Sequence, residues 1–335
     1  MTAKLQALIL AAGKGTRMKS ELPKVVHPIL GKPMVAYVIE AVKAVGCDKV
    51  TLIIGYKSEL VRNMLTGADV SFVEQPQQMG TGHAVQCFAK EIATMPEHLL
   101  VVCGDTPLIS TSTLRQMIEM HNSQKPAITM MTLNMENPGN YGRILRKDGK
   151  VFAIREARDC SAEELKVKEV NLAVYLFEGQ FLKDNIFKLT ASNQQKEYYL
   201  TDLVELAVQK GLPVVSCIEK DESSTLGINS RQHLADVSAI LQQQILDQLM
   251  SDGVTITSPQ NTFIGPDVNI APDTVIHPGT MISGRCSIGR DCVVGPNTHI
   301  SDSTIGNGCN LEACIIKGAS ITDNSNIEPF SLVEG

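Results

Sequence analysis

The chain has 335 residues, 43% hydrophobic and 20% charged, with 25 glycines and 15 prolines; that balance fits about two globular domains and excludes a disordered or collagen-like chain. Its formal charge of −6 excludes a broad nucleic-acid or anionic-membrane surface, which needs a net basic face, but leaves room for a local basic site for a phosphorylated small molecule. No apolar stretch approaches the ~18 residues of a membrane span, the run Leu5–Leu10 is too short for a secretion signal, and nine scattered cysteines form no C-x-x-C pair, so a cytoplasmic chain without disulfide framework or zinc site is expected.

Before Gly253, short β-branched runs alternate with amphipathic segments: 5–10 then 34–45, 50–54 then 59–65, 99–103 then 113–121. Such alternation predicts βαβ units, hence an α/β domain over 1–229 with a mainly parallel, Rossmann-like sheet and helices on both faces. From 127 to 175 strand signals dominate, at 128–133, 151–155 and 170–175, broken by Asn-Pro-Gly-Asn and Lys-Asp-Gly-Lys turns. They predict an inserted hairpin-rich lobe. Leu234, Val237, Ile240, Leu241, Ile245, Leu246 and Leu249 then recur at helical spacing, with Ser230 as N-cap and Gly253 past the end, which predicts a linker helix over 230–252.

After Gly253 the period becomes six. Aliphatic residues stand at Ile264, Ile270, Ile276, Ile282, Ile288, Val294 and Ile300 and, after one-residue slips, at Ile305, Leu311, Ile316, Ile321 and Ile327. Four residues after most of them sits a small or β-branched residue: Val268, Thr274, Thr280, Cys286, Cys292, Thr298, Thr304, Cys309. This hexapeptide rule predicts a short left-handed parallel β-helix over 253–335 with about four three-sided coils, its cysteines serving as small inward fillers.

The chemistry begins at the first strand's end. In Leu10-Ala11-Ala12-Gly13-Lys14-Gly15-Thr16-Arg17-Met18 a glycine-rich turn leaves backbone N–H groups free to surround phosphate oxygens, with Gly13 and Gly15 allowing close approach. It is neither a Walker loop nor a complete dinucleotide fingerprint. Arg17 and Lys24 follow as two fixed cations, as a triphosphate requires.

Together with Leu22-Pro23-Lys24, Gly80-Thr81-Gly82-His83-Ala84 and Gly104-Asp105-x-Pro107-Leu108, this segment resembles the sugar-phosphate nucleotidyltransferases. With hexapeptide repeats behind these motifs, the chain from residue 4 onward is similar to the bacterial bifunctional N-acetylglucosamine-1-phosphate uridylyltransferase/glucosamine-1-phosphate acetyltransferase family. The resemblance implies a Mg2+-dependent transfer of uridylyl from UTP to N-acetylglucosamine 1-phosphate, and a homotrimer formed through the β-helix. It places Leu10, Ala11, Ala12 and Gly13 against the nucleotide, Arg17 and Lys24 on its phosphates, and Gln75 with Gly80 and Thr81 on the uracil edge. Cys103 and Gly104 lead to Asp105 at a strand's carboxyl end, and the resemblance makes Asp105 and Asn229 the metal ligands; turn formation by Asp105 and helix capping by Asn229 are the competing structural roles. Gly142, Glu156 and Asn171 line the sugar side by resemblance alone. Two departures fall in this region: Asn171-Leu172-Ala173 stands for the family's usual Asn-Thr-Gly, and Cys103 for an aromatic or small hydroxyl residue before Gly-Asp. Acetyltransferase activity is not expected, since the family's site for it is built from later coils. The rival readings are an adenylyl- or thymidylyltransferase acting on glucose 1-phosphate, a non-catalytic regulatory protein on the same fold, and an acyltransferase working through the β-helix.

Overall fold

A computed structural model of the protein describes residues 5–335; the first four residues of the expected nucleotide domain lie outside the described residues. The chain forms two units, one running to His27 and from Pro33 to Ser230, the other of Pro28–Lys32 with Arg231–Gly335.

The first unit carries, in chain order, β1 (Leu5–Leu10), α1 (Met34–Ala44), β2 (Lys49–Ile54), α2 (Ser58–Met64), β3 (Ser71–Glu74), α3 (Thr81–Glu91), β4 (His98–Cys103), α4 (Thr111–Gln124), β5 (Ile128–Asn134), β6 (Arg143–Lys147), β7 (Lys150–Arg155), β8 (Glu169–Glu178), α5 (Gly179–Asn185), α6 (Asp202–Gln209) and β9 (Val214–Ile218). The sheet runs β9-β5-β8-β4-β1-β2-β3. All its neighbours are parallel except β8, which is antiparallel to β4 and β5. The central strands read as unbroken apolar runs because helices cover both faces. Ile9, Leu100 and Val102 pack with α1 and α4 on one face, while Leu8, Leu99 and Val101 meet Phe88 and Phe177 on the other.

The expected inserted lobe is smaller than its sequence signal. β5 and β8 are full members of the central sheet, and only the β6–β7 hairpin stands off it, pairing with β8 through Arg143 and Val170. The reason lies in β8, whose Leu172, Val174 and Leu176 face one core cluster while Tyr175 and Phe177 face the other. A strand apolar on both faces belongs between helical layers.

In the second unit, α7 (Arg231–Ser251) precedes three parallel sheets of five, five and four short strands. They form a left-handed parallel β-helix. Inward aliphatics stack in register, as in Ile256, Ile276, Val294, Leu311 and Ile327 on one side and Ile264, Ile282, Ile300, Ile316 and Val333 on another, so the pattern extends one repeat beyond each end of the predicted series. Cys286, Cys292 and Cys309 are buried fillers, and Cys314 is a fourth. One filler assignment fails: Thr304 is exposed and Ser303, 2% exposed, takes the inward place. The filler holds its position two residues ahead of the next aliphatic, so the turn shortened between Ile300 and Ile305 moves it back by one.

Candidate active site

Leu10 pairs with both Ile53 and Cys103, so β1, β2 and β4 end at one level. Beyond them the chain stays woven together: the Ala11 N–H donates to the Ile53 carbonyl at 2.9 Å, Gly104 N–H to Leu10 at 2.9 Å and Tyr56 N–H to Ala12 at 3.3 Å. These bonds fix a cleft of about 280 Å³ at the carboxyl edge of the sheet, where parallel α/β folds hold ligands. Of the expected site residues, Leu10, Ala11, Ala12, Gly13, Lys24, Gln75, Gly80, Thr81, Cys103 and Asp105 line it. Gln78 and Glu197 line it as well and were not foreseen. Gln78 stands three residues after Gln75 in the loop between β3 and α3, and neither that loop nor Glu197-Tyr198-Tyr199 announces a further site residue in the sequence.

At the cleft's mouth the chain builds an electrostatic knot. Lys24 Nζ donates to Asp105 Oδ2 and, at 3.1 Å, to Asn229 Oδ1, which also accepts from Arg17 Nη2 at 2.8 Å. Asn229 is steadied by its own Nδ2 on the Gly227 carbonyl at 3.3 Å, and the Asp105 carbonyl accepts from Ile228 N–H at 2.9 Å. Four expected residues spread over more than two hundred positions thus meet. Gly15 sets Lys24 in place: it has φ +65°, and a Cβ there would lie 2.6 Å from Lys24 Cβ. Its need for glycine comes from this packing rather than from room for a phosphate, as the sequence suggested. Gly13 is different, since a Cβ there meets nothing within 4 Å. Asp105 and Asn229 supply two oxygens that converge on one ammonium, a donor set suited to a hard cation that shares its coordination with phosphates. Cys103 is no nucleophile, because burial pushes its thiol up to about 12 and keeps it protonated.

Gln75 continues β3, its N–H donating to the Ile54 carbonyl at 2.8 Å, and its side chain is buried. Gly80 caps α3 with φ +100°, and a Cβ would lie 2.6 Å from the Tyr198 carbonyl. Gly82 N–H donates to that same carbonyl at 2.8 Å, and Thr81 Oγ1 accepts from Leu200 N–H at 3.2 Å. The glycines of Gly80-Thr81-Gly82 therefore admit segment 197–200 to the cleft wall.

Gly142, Glu156 and Asn171 gather at a second place and do not line the 280 Å³ cleft. Asn171 N–H donates to the Gly142 carbonyl at 2.9 Å, and a Cβ on Gly142 would sit 3.5 Å from Glu156 Oε1. Glu156 accepts from Thr201 Oγ1 at 3.5 Å, and burial raises its carboxyl above the usual range. It also lines a polar cavity of about 690 Å³ with Asp159, Asp202 and Glu205. Burial and the neighbouring Glu205 push Asp202 up to about 6. The Asn-Leu-Ala departure falls at a bulge in β8, where Ala173 has φ +55° and its N–H donates to Asn171 Oδ1 at 3.1 Å. Glycine would hold that conformation without the ~1 kcal/mol strain of a Cβ.

Residues 7–164 match the MobA-like NTP transferase domain family. The chain is 43% identical over 332 residues to the bifunctional protein GlmU of Pelobacter propionicus, an alignment covering 98% of this chain and 68% of that protein. It is 44% identical over 327 residues to the bifunctional protein GlmU of Fervidobacterium nodosum, covering 98% and 70%. Among solved structures, a UDP-glucose pyrophosphorylase complexed with UDP-glucose superposes with a TM-score of 0.58 at 19% identity, over 72% of this chain and all of that one, a likeness of fold. At that identity and coverage to two GlmU proteins, with a nucleotidyltransferase domain followed by a parallel β-helix, this chain belongs to the GlmU family.

Proposed function

We propose that the cleft binds UTP through Leu10 to Gly13 and Gln75, with Arg17 and Lys24 on the phosphates, and that N-acetylglucosamine 1-phosphate lies toward Gly142, Glu156 and Asn171. The chain is a UDP-N-acetylglucosamine diphosphorylase, a nucleotidyltransferase that moves uridylyl from UTP to N-acetylglucosamine 1-phosphate and releases pyrophosphate. The observation that carries the site assignment is the knot of Arg17, Lys24, Asp105 and Asn229 beside the 280 Å³ cleft at the sheet's carboxyl edge. A phosphate oxygen of the sugar attacks the α-phosphorus in line, a new P–O bond forms, and the bond to the pyrophosphate breaks. The attacking group is already an anion, so no general base is needed and catalysis consists of positioning and charge neutralisation. Lys24 and Arg17 then exchange their contacts with Asp105 and Asn229 for phosphate oxygens, which frees both side chains to hold a divalent cation, which we take to be Mg2+. Bound there, such an ion neutralises triphosphate and leaving-group charge.

Adenylyl or thymidylyl transfer fits less well, given relatives at 43% and 44% identity that are GlmU proteins. A regulatory protein on this fold has no use for the cations and the carboxylate that meet here. A pyrophosphate-release panel over nucleotides and sugar phosphates is the test: with N-acetylglucosamine 1-phosphate, UTP is expected to turn over far faster than ATP or dTTP. Preference for ATP with glucose 1-phosphate sinks the assignment.

No helix among the described residues is long and apolar enough to cross a membrane, and we place the reaction in the cytoplasm. The homotrimer is supported by one outward ladder of the β-helix, in which Phe263, Met281, His299, Ile315 and Leu332 lie in register, with Met281, Ile315 and Leu332 exposed. An apolar ladder on a flat face favours cover by another chain. Light scattering is expected to give three times the 36.3 kDa chain mass, falling to one for Ile315→Glu. A parent chain that is monomeric at micromolar concentration refutes the trimer.

A further inference from the structure

We infer that Arg143 is a positioning residue for the sugar phosphate: from beneath the turn that leads into Gly142, its guanidinium holds that turn in shape. The inference rests on N-acetylglucosamine 1-phosphate lying toward Gly142, Glu156 and Asn171, as proposed above. Arg143 opens β6 and is only 3% exposed. Its Nη1 donates to the Tyr141 carbonyl and its Nη2 to the Gly139 carbonyl at 3.0 Å, while Nε is buried without a hydrogen-bond partner. Among the described residues no carboxylate pairs with it: its neighbour across the hairpin is a second cation, Arg155, and Glu164 pairs with that arginine at 3.7 Å. A guanidinium buried with no counter-ion costs the fold more than an apolar side chain does. One step along the same hairpin Ile144 and Ile154 face each other at 1% and 4% exposure, so aliphatic residues pack well here. Packing alone does not account for an arginine at 143.

The arginine ties an exposed turn to the core. Asn137, Gly139 and Asn140 are exposed, Gly139 has φ +49°, and Tyr141 N–H donates to the Pro138 carbonyl at 3.1 Å within the turn. The guanidinium fork adds two bonds from below, on carbonyls two residues apart, and so fixes the direction in which the chain enters Gly142. Gly142 has little latitude of its own. Its carbonyl accepts from Asn171 N–H at 2.9 Å, and a Cβ there would lie 3.3 Å from Ile154 Cγ2 and 3.5 Å from both the Arg155 carbonyl and Glu156 Oε1. A turn released from Arg143 shifts Gly142 against Glu156 and Asn171, the two side chains proposed to meet the sugar. The nucleotide cleft is untouched, since no residue from 137 to 143 lines it. The loss therefore falls on one substrate and spares the other.

The test measures KM for N-acetylglucosamine 1-phosphate and KM for UTP separately, with thermal melting, in the full chain for the parent, Arg143→Met, Arg143→Lys and Glu156→Gln. Methionine fills much of the same space without a donor, and lysine keeps the charge but not the fork. Arg143→Met is expected to raise KM for the sugar phosphate by about tenfold or more while KM for UTP stays within about twofold of the parent, as the displacement of one positioning group implies. Arg143→Lys is expected to raise the same KM less, and it carries the comparison if Arg143→Met does not fold. Equal rises in both KM values overturn the inference, because they mark a general loss of structure. A parental sugar-phosphate KM in Arg143→Lys also overturns it, since charge without the fork then suffices. If Glu156→Gln raises that KM and Arg143→Met does not, the turn keeps its shape unaided, and the inference fails while the sugar stays where it is proposed to lie. If Glu156→Gln leaves that KM parental, the sugar lies elsewhere and the inference falls with that reading.

Discussion

Asp105→Asn is expected to lower turnover by on the order of 10²–10³ while leaving the protein folded, and Lys24→Ala and Arg17→Ala to do the same, the usual scale for one preorganised electrostatic group. The four-residue knot adds a condition that single substitutions do not show. Lys24 touches both Asp105 and Asn229, and Arg17 shares the Asn229 oxygen, so the groups act as a unit and their effects should fall short of additive. Lys24→Ala combined with Asp105→Asn is expected to lose well under the product of the two single losses. Stability should fall by on the order of 1–3 kcal/mol, because the Lys24 and Asp105 side chains are only 14% and 19% exposed and removing one leaves the other without its partner; in Asp105→Asn the lysine keeps Asn229. Steady-state rates, a Mg2+ titration of each variant and circular dichroism melting separate the outcomes. Asp105→Asn with normal melting and parental turnover would remove Asp105 from the metal site, and strictly additive losses would mean that the knot is not a working unit.

How far the site was visible in the sequence depended on whether a residue's role is local. Gly13, Gln75 and Asp105 sit just past strand ends and Lys24 opens a short helical turn after Leu22-Pro23, all in short motifs, and the structure brings them to one cleft. Glu197 and Thr201 were invisible because they reach the site only through the close contact of segment 197–200 with Gly80 and Gly82, a tertiary event with no sequence period. The β-helix was legible almost rung by rung, since each aliphatic residue answers to a repeat of fixed length. Thr304 was misplaced where that length changes, because counting forward from one aliphatic residue is not the same as counting back from the next. The predicted lobe at 127–175 failed for a different reason. Strand signals mark pairing but not partners, so β8, apolar on both sides, was grouped with its sequence neighbours instead of with β4 across the sheet.

Gly13→Ala and Gly15→Ala, two positions apart, are expected to fail in opposite ways. At Gly13 the backbone is not left-handed and an added methyl meets no protein atom within 4 Å, so the fold should accept it, with a gain of up to about 0.5–1 kcal/mol from the stiffened unfolded chain. The methyl instead enters the cleft that Gly13 lines, so KM for UTP should rise tenfold or more with the melting temperature unchanged or slightly higher. At Gly15 the left-handed backbone and the 2.6 Å approach to Lys24 Cβ are both incompatible with a side chain. The turn must open, costing about 1–2 kcal/mol, and Lys24 moves off the line joining Asp105 to Asn229. Here kcat should fall by roughly 10² with a melting temperature a few degrees lower. UTP titration and thermal melting of the two variants decide the matter: parental UTP affinity in Gly13→Ala means that the nucleotide does not approach this turn, and parental kcat in Gly15→Ala means that Lys24 is held in place by something other than this contact.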